Sequence, residues 1–299
     1  MRRTSVFSAQ DMVVEPASSP ELNLLGHNEL LTVDRWALER RSRALAKAVY
    51  LGDGVMLCRA MGRYKMFLTA RDVGFTPHLL MDGIWEPWMT PILAQRIKPG
   101  MRVVDAGANH GYFTLLLADM VGPEGRVAAI EPHPHTAELL RRTVGVNGFG
   151  DRTTVFEQAV GAHDDKMLTF EMREDDPKNA RVVGDERADH AGMTRVRSGR
   201  LDTLLAEWPK VDFLKIDVEG AEEAVLEGAW PLIIRDRPEI LLEFNHARCS
   251  DPLGLLERLV GVYQRLRTVT FDSQLVPVTR AQLLDKDQPE DWMLWLSRR

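Results

Sequence analysis

The run Asp105-Ala-Gly-Ala-Asn-His-Gly111, the acid Glu131 and the acids of Asp217-Val-Glu219 have the types and spacing to do chemistry. Glycine at 107 and 111 removes a Cβ that would block close approach of a ligand or force a disfavoured φ. Glu131 follows about 20 residues after that loop, at the end of the next apolar run, where a carboxylate can accept both hydroxyls of a ribose. A glycine turn followed at that interval by an acid is a nucleoside-binding pattern.

Two details choose among nucleosides. The loop is Gly-x-x-x-Gly and lacks the second glycine that lets a backbone hug a pyrophosphate. Asp105 ends the first strand beside the loop, where an anion repels phosphate but suits an ammonium or a sulfonium. Both point away from a dinucleotide and toward S-adenosylmethionine.

Placing these groups together needs a parallel sheet, because in such sheets ligands bind outside the carboxyl ends of the strands. From Lys98 onward strands and helices alternate, which predicts an α/β fold with a mostly parallel sheet and helices on both faces. The predicted strands are Arg102–Asp105, Arg126–Glu131, Thr153–Phe156, Asp212–Asp217 and Glu239–Glu243. Helices follow at Phe113–Met120, His135–Val144, Leu201–Trp208, Ala221–Leu232 and from Pro252. The tail predicts strands at Arg265–Phe271, Leu275–Val278 and Trp292–Leu296. The predicted strand ends then carry Asp105, Glu131, Glu157 with Gln158, Asp217 with Glu219, and Glu243 with Asn245 and His246, a set without Lys or Arg.

Residues 164–200 interrupt this rhythm, with strands near Met167–Phe170 and Thr194–Arg197 around a loop expected to act as a lid. Ahead of the sheet, residues 1–27 are polar, and a helical pattern runs from about Asn28 to Tyr50. Val55–Ala60 and Tyr64–Thr69 form a small β element around a Gly62-Arg63 turn. The expected organisation is an N-terminal extension over 1–50, a small β element and entry segment over 51–90, and the ligand-binding domain over 91–299. The N-terminal helix is read as packing on the domain, with a dimer contact or a cover for the site as the sharper alternatives.

The chain has 299 residues, 44% hydrophobic and 27% charged, which suffices for a sizeable core. The net charge of −6 argues against a nucleic-acid partner. No apolar run is long enough to span a bilayer, and the basic N-terminus lacks the apolar stretch of a signal peptide. Two distant cysteines, Cys58 and Cys249, fit a reducing cytoplasm.

Val104-Asp-Ala-Gly-Ala-Asn-His-Gly-Tyr-Phe-Thr114, Glu131-Pro132, Leu201-Asp-Thr-Leu204 and Asp212-Phe-Leu-Lys-Ile-Asp-Val-Glu-Gly220 together resemble the FkbM family of methyltransferases. Gly83-Ile-Trp-Glu86 resembles that family's segment ahead of the first strand, and the similarity spans about residues 72–245. One departure is His110, where the family more often has an aliphatic residue. The resemblance implies a Rossmann-like class I methyltransferase with a seven-stranded sheet. It implies S-adenosylmethionine as cofactor and a hydroxyl of a small molecule, natural product, glycan or lipid as acceptor. It sets Asp105, Gly107, Asn109 and Gly111 around the methionine part and Glu131 on the ribose. Glu157, Gln158 and Ala159 would border the adenine, and Asp217 and Glu219 the transferring methyl.

Methyl transfer is an in-line displacement at a sulfonium carbon, so alignment of the acceptor is the main contribution. An alcohol must also lose a proton, and Asp217, Glu243 and His246 are the candidate bases. Trp85, Glu86, Trp88, His190 and Asn245 are expected on the acceptor side. Asp217 and Glu243 end adjacent strands and their oxygens suit Mg²⁺, but a metal is not the favoured expectation. His133 and His135 read as a surface loop. Rival readings are a non-catalytic S-adenosylmethionine-binding subunit, assembled through the N-terminal helix, and an NAD-dependent oxidoreductase.

Overall fold

The computed structural model of the chain describes residues 23–171, 181–183, 193–287 and 291–298. The N-terminal part holds helices α1 (His27–Leu30) and α2 (Arg35–Leu45), then a three-stranded antiparallel sheet of β1 (Ala48–Gly52), β2 (Val55–Ala60) and β3 (Tyr64–Thr69). Helices α3 (Thr76–Asp82) and α4 (Met89–Arg96) lead into the main unit. There β4 (Arg102–Ala106), α5 (Tyr112–Val121), β5 (Arg126–Ile130), α6 (Pro134–Val146) and β6 (Thr153–Phe156) alternate as expected. After an inserted segment come α7 (Leu201–Leu204), β11 (Phe213–Ile216), α8 (Glu222–Asp236), β12 (Glu239–Phe244) and α9 (Pro252–Tyr263). The tail adds β13 (Arg267–Val269), β14 (Leu275–Pro277), α10 (Arg280–Leu283) and β15 (Trp292–Leu296).

The main sheet runs β14-β13-β15-β12-β11-β4-β5-β6. Its β12-β11-β4-β5-β6 half is parallel, and β15, β13 and β14 are antiparallel. This is the Rossmann-like class I methyltransferase arrangement that the resemblance implied, with eight strands rather than seven because β14 pairs onto β13 at the edge. The parallel strands are buried on both faces, which is why they read as continuous apolar runs. Val103, Val127, Phe213 and Leu241 share one core with α4 and α5, while Val104, Ala128, Leu214 and Leu242 share another with α8 and α9. The order reverses at β4, where β5 lies on one side and β11 on the other, so a crevice opens beyond the carboxyl ends of β4 and β11.

Three local expectations are corrected. The helical pattern from Asn28 to Tyr50 is two helices followed by strand β1, because Ala48–Gly52 pairs antiparallel with β2 and tertiary pairing overrides propensity. Helix α3, with Pro77 in its first turn and left-handed Gly83 closing it, was not anticipated. The inserted segment keeps the two expected strands, β8 (Met167–Glu171) and β10 (Met193–Gly199), and adds β7 (Ala159–Val160) and β9 (Arg181–Val183), which together form a separate sheet ordered β7-β10-β8-β9.

The small sheet is tied to the main unit by polar contacts. Asp119 of α5 accepts hydrogen bonds from Tyr64 Oη at 2.7 Å and Arg63 Nε at 2.8 Å. Asn147, just after α6, exchanges hydrogen bonds with the backbone of Lys65. Among the described residues no helix is long and apolar enough to cross a membrane.

Candidate active site

Strand β4 runs into a turn whose shape is dictated by its neighbours. Gly107 has φ +81°, and a Cβ there would lie 1.8 Å from the carbonyl oxygen of Asp217. The amides of Gly107 and Ala108 both donate to the Ile130 carbonyl, at 3.1 and 2.9 Å, so the turn is clamped between the ends of β11 and β5. Gly111 has φ +97°, and its Cβ would meet Leu140 Cδ1 at 2.5 Å. Both glycines have the left-handed φ that was one of the two expected reasons for them, and the close approach at Gly107 is to the Asp217 backbone.

Glu131 follows β5 and is almost fully buried. Its Oε2 accepts from the Asn109 amide at 2.9 Å and its Oε1 from the His133 amide at 2.8 Å. Burial pushes this carboxyl up to about 7, with the two amides acting against that rise. Both oxygens keep lone pairs for a diol in the adjoining cavity.

His110 is wholly buried behind the turn and does not line the cavity. Its Nε2 faces the Thr69 amide at 3.3 Å, and its Nδ1 faces Asn109 Oδ1 at 2.5 Å. The first contact requires an acceptor at Nε2, so the proton sits on Nδ1 and the ring is neutral. The ring also stacks on Phe75, with centroids 5.8 Å apart. His110 thus joins the end of β3 to the turn. Burial, aided by His135 and His133, lowers its value from 6.5 to about 3. An unfolded chain takes up that proton below about pH 6.5 while the folded one refuses it, so the contribution to stability is present above that pH and is lost toward pH 3. Between about pH 7 and pH 5, wild type is expected to lose about 2 kcal/mol more stability than His110→Gln, measured by chemical denaturation. Equal losses in both proteins would refute the neutral-histidine assignment.

The end of β11 supplies the charged half of the site. Lys215 is 1% exposed, and its Nζ lies 2.8 Å from Asp217 Oδ2 and 3.8 Å from Asp105 Oδ1. Burial acts to lower its proton affinity, but Asp217 and Asp105 outweigh that and raise it, so the lysine is charged. Asp105 accepts Thr114 Oγ1 at 2.6 Å. The next loop carries Glu219 at φ +55°, and the Val218 and Gly220 amides donate to Glu222.

On β12, Glu243 accepts from Arg248 Nη1 at 3.0 Å, and the same nitrogen lies 3.5 Å from Glu219. Burial pushes the Glu243 carboxyl up to about 9, followed by the charges of Asp217, Glu219 and Glu222, with Arg248 opposing. Asp217, Glu219 and Glu243 each offer an oxygen within 4.8 Å of the others. An all-oxygen set of this kind suits Mg²⁺, but Arg248 already supplies a cation to two of the three.

A cavity of ≈ 930 Å³ joins these groups. Of the expected site residues, Gly107, Asn109, Glu131, Gln158, Ala159, Asp217, Glu219, Glu243, Trp85, Glu86 and Trp88 line it. Others do not. Asp105 lies beneath the turn against Lys215, and Gly111 packs on α6. Glu157 turns outward to Arg141, 2.9 Å away. Asn245 is spent capping the short 3₁₀ turn His246–Arg248 and bonding Asp291 at 2.8 Å. His246 sits in that turn away from the cavity, and its Nδ1 is buried without a hydrogen-bond partner among the described residues. His190 lies outside the described residues. Lys215, Arg248, Phe271 and Trp292 line the cavity and were not anticipated. A lysine inside the apolar strand Phe213-Leu-Lys-Ile216 was the available signal, since a charge there needs partners.

The far wall is aromatic. Trp88 meets Phe271 edge-on at 4.9 Å, and Trp85 meets Phe75 edge-on at 5.0 Å. Arg35 of α2 donates to the Phe271 carbonyl and lies 5.7 Å from the Trp88 ring, so the N-terminal helix packs beside the cavity wall.

A family model described as Methyltransferase FkbM domain matches residues 105–297. Among curated proteins, Methyltransferase sdnD of Sordaria araneosa is 29% identical over 165 residues, which cover 44% of this chain and 62% of that protein. A protein-L-isoaspartate O-methyltransferase of Hyperthermus butylicus is 39% identical over 66 residues, covering 20% of this chain and 27% of that protein. The matched stretches thus span less than two thirds of these relatives. The crystal structure of Methyltransferase FkbM from Methylobacillus flagellatus KT aligns with 66% of this chain and 43% of that one, at 20% identity and a TM-score of 0.43. An O-methyltransferase from Bacillus cereus in complex with SAH aligns with 77% of this chain and 84% of that one, at 17% identity and a TM-score of 0.38.

Proposed function

This chain belongs to the FkbM methyltransferase family, and from that premise we propose that it transfers the methyl group of S-adenosylmethionine to a hydroxyl of a small molecule, natural product, glycan or lipid. The observation that carries the cofactor is Glu131, whose two oxygens are oriented by the Asn109 and His133 amides at the rim of the cavity. Both ribose hydroxyls can donate to them, while Gln158 and Ala159 border the adenine and Asp217 receives the methionine ammonium. The acceptor then occupies the part of the cavity lined by Trp85, Trp88 and Phe271. Glu243 is the proton acceptor of choice, because Asp217 is committed to Lys215. No step needs a metal in this scheme. The proposed setting is the cytoplasm, which the two free cysteines support.

Isothermal titration with S-adenosylhomocysteine tests the cofactor assignment. Wild type is expected to bind it, and Glu131→Ala to bind it about 10- to 100-fold more weakly, the worth of hydrogen bonds to a charged acceptor. Absence of binding by wild type, or tighter binding of NADH, would sink this reading.

A further inference from the structure

Lys215 stands on β11 with β4 and β12 on either side, at a depth where a lone ammonium carries a heavy desolvation cost. It is held by Asp217 at 2.8 Å and Asp105 at 3.8 Å, and its Nζ lies 5.1 Å from the centre of the Phe113 ring. Asp105 does not line the cavity, whereas Lys215 and Asp217 do. Counted as formal charges the three leave one negative charge unbalanced, and burial raises the proton affinity of Asp105 against the pull of Lys215 and Thr114. The other charged groups facing the unit are Glu86, also felt by Lys215, and Glu243 and Glu219, which Arg248 pairs with. Arg248 answers those two acids, and Lys215 is the cation that pairs with both Asp105 and Asp217 among the described residues.

We propose that Lys215 is a positioning residue: it holds Asp217 aimed into the cavity, with Asp105 as its second, buried partner, so that the unit offers a carboxylate to the cofactor's ammonium group. The inference rests on the S-adenosylmethionine reading above. Without the lysine, the two carboxylates share a proton, and that proton must leave before an ammonium can bind.

Calorimetric titration with S-adenosylhomocysteine from about pH 6 to about pH 8.5 reads this directly. Wild type and Lys215→Arg are expected to change affinity by less than about 3-fold across the range, and Lys215→Met to lose at least about 10-fold on going from the upper to the lower pH. The double variant Lys215→Met/Asp105→Asn removes one of the facing acids and should regain the shallow profile. A loss in Lys215→Met that is the same at every pH, or no recovery in the double variant, overturns the proposal. If Lys215→Met does not fold, the double variant must fold and bind with a shallow profile, and failure in either respect overturns it.

If wild type binds no S-adenosylhomocysteine, the cofactor reading fails by itself, and thermal melts still test the charge role. The melting temperature of Lys215→Met must then fall as pH rises, and that of the double variant must not. Parallel melting profiles overturn the proposal.

Discussion

Gly107→Ala is expected to destabilise the protein by about 3 kcal/mol or more and to weaken S-adenosylhomocysteine binding at least about 100-fold. Two costs add at this position. A left-handed φ of +81° is strained for any residue with a Cβ. The new methyl would also sit 1.8 Å from the Asp217 carbonyl oxygen, which is backbone and cannot swing aside. Relief requires the turn after β4 to move away from the end of β11. That movement separates Asn109 and Glu131 from Lys215 and Asp217, which line one cavity. Gly111→Ala is the control. Its clash is with Leu140 Cδ1, the tip of a flexible side chain, and Gly111 does not line the cavity. It should cost stability through its φ of +97° but leave binding far less affected. Chemical denaturation and calorimetry on both variants check the pair. Near-normal binding by Gly107→Ala, or the stronger binding defect in Gly111→Ala, would show that the turn is not the rigid wall described here.

The contrast between these glycines bears on what a sequence can reveal. Their positions were legible, because Gly-x-x-x-Gly after an apolar strand signals a constrained turn. So was the need for a left-handed φ; the packing partners were not, because Asp217 and Leu140 come from distant parts of the chain. Asp105 shows the same gap between position and surroundings, lying beneath the turn and outside the cavity lining. An acid at a strand end reads as a ligand group, but Lys215, opposite it in the β11 register, lies 3.8 Å from it inside the fold. Glu131, Gln158, Ala159, Asp217, Glu219 and Glu243 were legible because each lies at or just after a strand end facing the crevice. Two residues past β12 the chain has already turned into a 3₁₀ segment, which draws Asn245 and His246 away from the cavity. In the inserted sheet, β8 and β10 were legible as short apolar-polar runs, whereas β7 and β9 were not. A two-residue strand such as Ala159–Val160 has no periodicity, and its pairing with β10 exists only in three dimensions.

Lys215 and Arg248 also divide the carboxylates between two tasks. Asp217 has a full-time cation at 2.8 Å, which suits an anion that must stay charged and bind. Glu243 faces three other acids and one shared arginine, which suits a group that takes a proton.

Glu243→Gln is therefore expected to lower kcat about 10²- to 10⁴-fold on any acceptor that wild type methylates, with S-adenosylhomocysteine affinity within about 3-fold of wild type. Glutamine keeps the shape of the side chain and can still accept from Arg248, but it has no proton affinity in the working range. The pH profile supplies a second readout. A base is active only when deprotonated, and burial among acids places the free-enzyme value at about 9, so the wild-type rate should climb with pH up to about that value. The variant's residual rate should lose that limb. Asp217→Asn should behave in the opposite manner, losing cofactor affinity while the remaining turnover keeps a pH limb, moved to lower pH because the charge of Asp217 no longer raises Glu243. An unchanged kcat in Glu243→Gln would remove it as the base. Turnover that is abolished by EDTA and restored by Mg²⁺ would instead assign Glu243, with Asp217 and Glu219, to a metal ion. The two carboxylates thus separate binding from proton transfer, and the kcat of one variant against the Kd of the other measures that separation.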